Sequence, residues 1–314
     1  MVYQKAHQKD SIRDNQKAAK QKMLKDLKGY AIVGNHSAVK TCLWLKKSLK
    51  DEGFCYKQKF YGIASHRCLQ LTPVLKCNMG CIHCWRPLDL LPEASNWNEP
   101  EFIVEESIKA QKRLLSGFFG TEGVNREKLK EALSPNQVAI SLIGEPTLYP
   151  RIAELVDEFN RRKMTTFLVT NGTNPKALEG VEPYQLYISL TAYDEESHRA
   201  LNQPKGNLWN NIRRSLSLMA EKDSRTVLRL TLMRNVNMRA ERFAPLIERA
   251  TPEFVEAKAY MHLGHSRYRL ERGAMPSHEE IRMFSEELEK ITGYRMVDES
   301  PISRVVLLER DKND

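Results

Sequence analysis

Leu75-Lys76-Cys77-Asn78-Met79-Gly80-Cys81-Ile82-His83-Cys84-Trp85-Arg86-Pro87 holds three cysteines separated by three and then two residues. Gaps this short fold three thiolates around one cubane iron–sulfur cluster, whose fourth iron keeps an open coordination position. Two other uses of cysteine compete with that reading. A structural zinc site wants four ligands, usually two close pairs far apart in sequence, and Cys81 and Cys84 find no distant C-x2-C partner. A disulfide framework suits small secreted chains, whereas these 314 residues suffice for a core of their own, and the lysine-rich N-terminus shows no signal-peptide apolar stretch. A reducing cytoplasm is therefore the expected compartment. No apolar run approaches the roughly 18 residues that cross a bilayer, so no membrane span is expected.

Around that stretch, short runs rich in Val, Ile, Leu, Thr and Phe alternate with amphipathic ones. Strands are predicted at 68–75, 138–143, 165–170, 186–190, 227–233 and 255–262. Helices are predicted at 102–115, where Ile103, Ser107, Ala110 and Leu114 recur at three- and four-residue steps, at 152–162 after Pro150, and at 208–219 after Gly206. Strands alternating with helices imply parallel pairing and right-handed crossovers. The expected fold is α/β, a partial, open βα barrel of about six units with a helical N-terminal extension; a doubly wound sheet is the rival. No repeat or long linker divides the chain, so 1–314 reads as a single domain: an extension over 1–66, a core over 67–265 and a C-terminal extension over 266–314. In such barrels ligands meet the loops at the carboxyl ends of the strands, where the cysteine motif begins. Gly144-Glu145-Pro146, Asn171-Gly172-Thr173 and Ser189-Leu190-Thr191 follow or close later strands in the same way, although turn chemistry alone can place Gly, Pro and Asn there.

The formal charge is +9, from 49 Lys and Arg against 40 acids, which favours a polyanionic partner, nucleic acid first among them. Lys5, Lys9, Arg13, Lys17, Lys20, Lys22, Lys25 and Lys28 stud a segment poor in apolar residues, which reads as an exposed helix or a partly disordered arm. Lys46-Lys47, Arg161-Arg162-Lys163, Arg213-Arg214 and the stretch from Arg267 to Arg272 are further basic clusters, each weak alone.

Cys42, Cys55 and Cys68 complete the cysteines, evenly spaced, and none follows Cys84. Buried thiols packed beside Leu43, Trp44, Phe54 and Leu69 are the plain reading. Clustering of all six ahead of residue 85 favours a second cluster instead, whose open iron would act as a Lewis acid toward an α-keto acid.

The C-x3-C-x2-C spacing closely resembles that of radical S-adenosylmethionine enzymes, in which one electron through the cluster splits bound S-adenosylmethionine into a 5′-deoxyadenosyl radical. Gly144-Glu145-Pro146 resembles that family's Gly-Gly-Glu-Pro motif, which receives the ammonium of S-adenosylmethionine, with Ile143 in place of the first glycine. By position, Asn171 and Ser189 are candidate contacts to its ribose or carboxylate. Residues 36–44, 54–63 and 77–87 together resemble the 4-demethylwyosine synthase family, over about residues 40–269. The resemblance implies two 4Fe-4S clusters, held by Cys77, Cys81 and Cys84 and by Cys42, Cys55 and Cys68, together with S-adenosylmethionine. It implies condensation of 1-methylguanosine at position 37 of phenylalanine tRNA with two carbons of pyruvate. It also implies the short archaeal form, served by an external electron donor because no flavodoxin-like domain fits before Cys42. A monomer is expected.

The same resemblance places a lysine that forms a Schiff base with pyruvate in this segment: Lys57, two residues after Cys55, or in principle Lys59. With an ordinary pKa only roughly one lysine in two thousand is neutral at pH 7, so burial, nearby cations or iron must activate it; the plain reading is a surface or phosphate contact. A nucleotide of the anticodon loop must be splayed out to react, and Trp85, Trp209, Tyr193 and Tyr268 are candidates to stack on bases, although most aromatics are packing residues. Two rivals stand beside this reading. Another radical enzyme, such as a protein-activating one with a relay cluster, does not account for the Cys42/Cys55/Cys68 spacing. A metal-stabilised RNA-binding protein does not account for Gly144-Glu145-Pro146.

Overall fold

The computed structural model describes residues 27–86 and 96–311; most of the basic arm and Pro87 of the cysteine motif lie outside them. Strands β1 (Ala31–Val33) and β2 (Ser37–Val39) form a hairpin, followed by two short helices, α1 (Leu43–Ser48) and α2 (Tyr56–Tyr61). Then come β3 (Cys68–Thr72), α3 (Pro100–Leu115), α4 (Arg126–Ala132), β4 (Gln137–Ile140), α5 (Ile152–Arg161) and β5 (Thr165–Thr170). The pattern continues with α6 (Pro175–Glu179), β6 (Gln185–Leu190), α7 (Glu195–Asn202), α8 (Trp209–Met219), β7 (Arg225–Leu232), α9 (Ala240–Ala250) and β8 (Phe254–Ala259). Helix α10 (His278–Thr292) and the antiparallel strands β9 (Arg295–Ser300) and β10 (Val305–Glu309) close the chain.

All ten strands join one open sheet in the order β1-β2-β3-β4-β5-β6-β7-β8-β10-β9, with β3 to β8 parallel. Those six are the six predicted strands, and their spatial order never reverses. A doubly wound sheet would reverse at a switch point, so the partial barrel is the fold. Two differences from expectation have local causes. β3 ends at Thr72 rather than at residue 75, because Pro73 has no N–H for the ladder, and the Thr72 hydroxyl donates to the Val74 carbonyl at 2.7 Å. The N-terminal extension, expected to be helical, also contributes the β1–β2 hairpin, whose turn contains Gly34 at φ +57°.

Alternation assigns the two faces of the sheet. Leu69, Leu71, Val138, Ile140, Leu168, Leu186, Ile188, Leu228, Leu230, Val255 and Ala257 are buried beneath the helices. Helix α5 meets them with Ile152, Leu155, Val156 and Phe159, and α9 with Phe243, Leu246, Ile247 and Ala250, both at the spacing of one helix stripe. The residues between, among them Cys68, Phe167, Tyr187, Arg229, Glu256 and Lys258, occupy the other, concave face. There Ile63, Phe167, Tyr187, Val227, Phe254 and Leu307 form a separate apolar cluster, flanked by Phe60 and Tyr61 of α2. The barrel interior thus has a floor, plugged by α2 at the amino ends of the strands.

Phe243 ties α9 to Tyr193 and Phe284 through ring contacts at 5.6 and 6.2 Å, and it is fully buried. Phe243→Ala should lower unfolding stability by about 3–5 kcal/mol, measured by denaturant titration.

Candidate active site

Cys77, Cys81 and Cys84 lie on the loop that leaves the carboxyl end of β3, and neighbouring elements hold that loop by its backbone. The Gly80 N–H donates to the Asn202 carbonyl at 2.9 Å, and the Ile82 N–H to that of Leu201 at 2.9 Å, so the end of α7 supports the middle of the loop. From the other side the His265 N–H donates to the Trp85 carbonyl at 2.9 Å, and Arg269 donates to the carbonyls of Ile82 and Cys84. Gly144 sits at φ +73°, and a Cβ there would lie 2.2 Å from the Val74 carbonyl oxygen and 2.6 Å from that of Lys76. Only glycine admits this backbone approach. Asn171 donates to the Asn78 side chain at 3.0 Å and reaches the Cys77 sulfur at 4.0 Å, so it too bears on the cysteine loop.

The Glu145 carboxylate is held by its neighbours. Its Oε1 accepts from the Thr147 N–H at 3.1 Å, the Thr147 hydroxyl at 2.7 Å and the Thr170 hydroxyl at 2.6 Å; its Oε2 accepts from the Asn171 N–H at 2.8 Å. Oε1 is fully engaged, and Oε2 keeps one acceptor position open. The side chain therefore braces the ends of β4 and β5 together, and the backbone around Gly144 and Pro146 is what faces the loop. Ser189 lies on the concave face of β6, paired in register with Arg229.

The second trio gathers at the opposite end of β3. Cys42 caps α1, its sulfur accepting from the Leu45 N–H at 3.2 Å; Cys55 precedes α2, its N–H donating to the Ser65 hydroxyl at 2.9 Å; Cys68 begins β3. All six thiols are free. Burial raises the pKa of each; at Cys55 nearby lysines and at Cys84 nearby arginines oppose it, while at the other four neighbouring sulfurs add to it. Cys42 rises to about 11, with Cys55 contributing, and Cys68 rises with help from Cys42 and Cys55. Cys77 rises to about 12, with Glu145 and Cys84 contributing, and Cys81 rises well above its ordinary value with help from Cys77 and Cys84.

Six cysteines thus divide into two trios whose thiolates would repel one another, a donor set that cationic iron relieves and therefore fits. Among the described residues, no three His, Cys, Asp or Glu side chains converge on a point for one metal ion. A cubane does not ask for that, since each thiolate takes its own iron. The trios are separated by the five residues of β3, roughly 16 Å of strand.

The two candidate lysines part company. Lys57 turns inward, its Nζ 4.2 Å from the Tyr187 ring centroid and 4.5 Å from that of Phe167. Burial lowers its pKa to about 8, assisted by Arg229 and opposed by Glu256, Cys55 and Cys68. Lys59 is exposed, donating to the Glu299 carbonyl at 2.7 Å and pairing with Asp298 at 2.5 Å.

Beside Lys57 stands a network that the sequence reading missed. Glu256 is fully buried; its Oε2 accepts from Tyr56 at 2.9 Å and Arg229 Nε at 2.8 Å, its Oε1 from Tyr61 at 2.8 Å and Tyr187 at 3.1 Å. Burial pushes its carboxyl pKa up, but Arg229 and Lys57 outweigh that and hold it below the usual value. Lys258, on the same face, is lowered by burial to about 8 and donates to the Ser303 carbonyl at 2.8 Å.

Of the four aromatics named for base stacking, Trp209 is buried in the core, and Tyr193 packs against Phe243. Trp85 and Tyr268 are 44% and 79% exposed on the carboxyl-end rim, with the Arg86 guanidinium 3.4 Å from the Trp85 ring centroid. Arg161 and Arg162 pair with Glu158, and Arg214 with Glu179, so those clusters are charge-compensated. Gly144→Ala should unseat the cysteine loop: after reconstitution the variant should retain about half of the wild-type iron, that of the Cys42 trio, by iron and sulfide assay.

Comparisons with known proteins extend this geometry. Residues 71–247 match the Radical SAM superfamily and residues 249–310 match Wyosine base formation. The chain is 53% identical over 299 residues to the S-adenosyl-L-methionine-dependent tRNA 4-demethylwyosine synthase of Pyrococcus abyssi, covering 91% of this chain and 87% of that one. To the enzyme of the same description from Methanocaldococcus jannaschii it is 43% identical, covering 89% and 92%. The structure of TYW1 with a lysine-pyruvate adduct bound superposes with a TM-score of 0.86 at 42% identity, over 94% of this chain and 96% of that one. An archaeal TYW1 structure superposes at 0.78 and 38% identity over the same shares. With one family model on the open barrel, another on its C-terminal part and relatives this similar over nearly their whole length, the chain belongs to the S-adenosylmethionine-dependent tRNA 4-demethylwyosine synthases.

Proposed function

We propose that this chain condenses 1-methylguanosine at position 37 of phenylalanine tRNA with two carbons of pyruvate, a carbon–carbon bond-forming lyase reaction that yields 4-demethylwyosine. In this reading Cys77, Cys81 and Cys84 hold the 4Fe-4S cluster that works with S-adenosylmethionine, and Cys42, Cys55 and Cys68 hold a second one. When bound, these groups supply hydrogen-atom abstraction from an unactivated methyl group and a Lewis-acidic iron.

The chain's own residues do the rest. The backbone from Gly144 to Pro146 presents carbonyls to the ammonium of S-adenosylmethionine while Glu145 holds that backbone in place. Asn171 and Ser189 contact the ribose or carboxylate of S-adenosylmethionine. Lys57 captures pyruvate: its neutral amine adds to the ketone carbon, and the ketone oxygen leaves as water after proton transfer, giving an imine. A lysine of pKa about 8 is neutral in about one molecule in ten at pH 7, some two hundred times the ordinary share. Trp85 and Tyr268 offer rings at the rim to bases splayed from the anticodon loop.

Residues 1–66 supply Cys42 and Cys55, 67–265 form the radical core and 266–314 are its C-terminal extension. The chain acts as a cytoplasmic monomer reduced by an external donor. Among the described residues no helix is long and apolar enough to cross a membrane.

The observation that carries this reading is Lys57, buried beside Cys55 and Cys68 and turned onto the concave face, in a chain that superposes on a relative bound with a lysine-pyruvate adduct. Lys57→Ala should abolish both the borohydride-trapped pyruvate adduct and tRNA product while 5′-deoxyadenosine still forms; Lys59→Ala should retain all three. Replacing Cys42, Cys55 and Cys68 together by Ala should leave about half the iron, with reductive 5′-deoxyadenosine formation but no modified nucleoside. An adduct in Lys57→Ala, or its loss in Lys59→Ala alone, would reassign the lysine.

A further inference from the structure

We propose that Glu256 is a positioning residue for Lys57: by accepting the hydroxyls of Tyr56 and Tyr61 it fixes the helix that bears the lysine, and so sets how readily pyruvate is captured. This rests on the reading of Lys57 given above.

Helix α2 has six residues, too few to be stable alone, and ends at Gly62 in the left-handed region. Its place is therefore decided by tertiary contacts. Tyr56 precedes Lys57 and Tyr61 ends the helix, and their hydroxyls reach different oxygens of one carboxylate, at 2.9 and 2.8 Å. Two points of attachment on either side of Lys57 prevent the helix from rotating about its axis. A third bond fixes the surface that the lysine lies against, for Tyr187 donates to the same carboxylate at 3.1 Å and its ring is 4.2 Å from Lys57 Nζ.

Register makes the arrangement possible. Glu256 on β8 pairs with Arg229 on β7, both on the concave face, and Arg229 donates to the carboxylate and, at 2.8 Å, to the Tyr56 hydroxyl. The ion pair makes a charged acceptor tolerable in a dry interior, where an unpaired carboxylate would be expelled or neutralised. Such a pair contributes little to folding compared with an apolar filling of the same volume. What a charged acceptor does offer is geometry, because four donors occupy its four acceptor positions and each holds the others in line.

The test uses the full chain, reconstituted anaerobically, with pyruvate as the probe, borohydride trapping and intact-mass readout. Tyr56→Phe and Tyr61→Phe keep the rings and remove only the hydroxyls. Combined, they should raise the half-saturating pyruvate concentration for trapping by about tenfold with 5′-deoxyadenosine formation unchanged, while the thermal unfolding temperature falls because a buried carboxylate loses two donors. Glu256→Gln should match or exceed that shift; should it fail to fold, the tyrosine pair decides alone. Folded variants that trap pyruvate at the wild-type half-saturation would overturn the proposal while leaving Lys57 in place. Adduct formation in Lys57→Ala would instead remove the lysine reading, and this inference with it.

Discussion

Burial of six thiols in two groups, one at each end of β3, is the constraint on which the rest of the structure depends. Desolvation resists ionisation of a thiol, and neighbouring sulfurs add to it at Cys68 and Cys81, so a thiolate at these positions needs a cation beside it. Each group also needs scaffolding of a different kind. The loop of Cys77, Cys81 and Cys84 has almost no regular structure, and it is held by backbone bonds from α7, from residues 265 and 269, and by the close approach of Gly144. Cys42, Cys55 and Cys68 instead stand at the starts of three short elements, where a helix cap and a strand end fix them without long-range bonds to the rim.

Parallel pairing then gives the interior a direction. Because β3 to β8 all run the same way, their carboxyl ends share one rim, with the Cys77 loop, Glu145, Asn171, Trp85 and Tyr268 around it. The amino ends share a floor, sealed by α2 and by the rings of Phe167, Tyr187 and Phe254. Between them the concave face carries Lys57, Arg229, Glu256 and Lys258, a charged lining with Glu256 fully buried and the three cations partly so.

Much of the fold was legible because parallel strands buried on both faces read as dense runs of Val, Ile, Leu and Phe, as in Thr165–Thr170, and because crossover helices such as α5 show a single apolar stripe. The cysteine trios and Lys57 were named from ligand spacing and family likeness, which do not depend on packing. The edge hairpin escaped notice because a three-residue strand such as Ser37–Val39 carries no periodic signal. Arg229 and Glu256 escaped because a charge within a strand reads as solvent-facing. Their alternation with Leu228, Leu230, Val255 and Ala257 was the available signal, because it places them together on the inner face of the sheet. The donors that hold Glu145 were not legible, because Thr170 and Asn171 arrive from another strand and no local pattern records that.

The most direct test of the account follows carbon. Anaerobically reconstituted protein would be incubated with reductant, S-adenosylmethionine, tRNA containing 1-methylguanosine, and pyruvate labelled at its second and third carbons, and the nucleosides would be weighed by mass spectrometry. The account predicts a tricyclic nucleoside that carries both labelled carbons, with the unlabelled carboxyl carbon lost. Formation of 5′-deoxyadenosine with unmodified tRNA, or a product without the label, would contradict it.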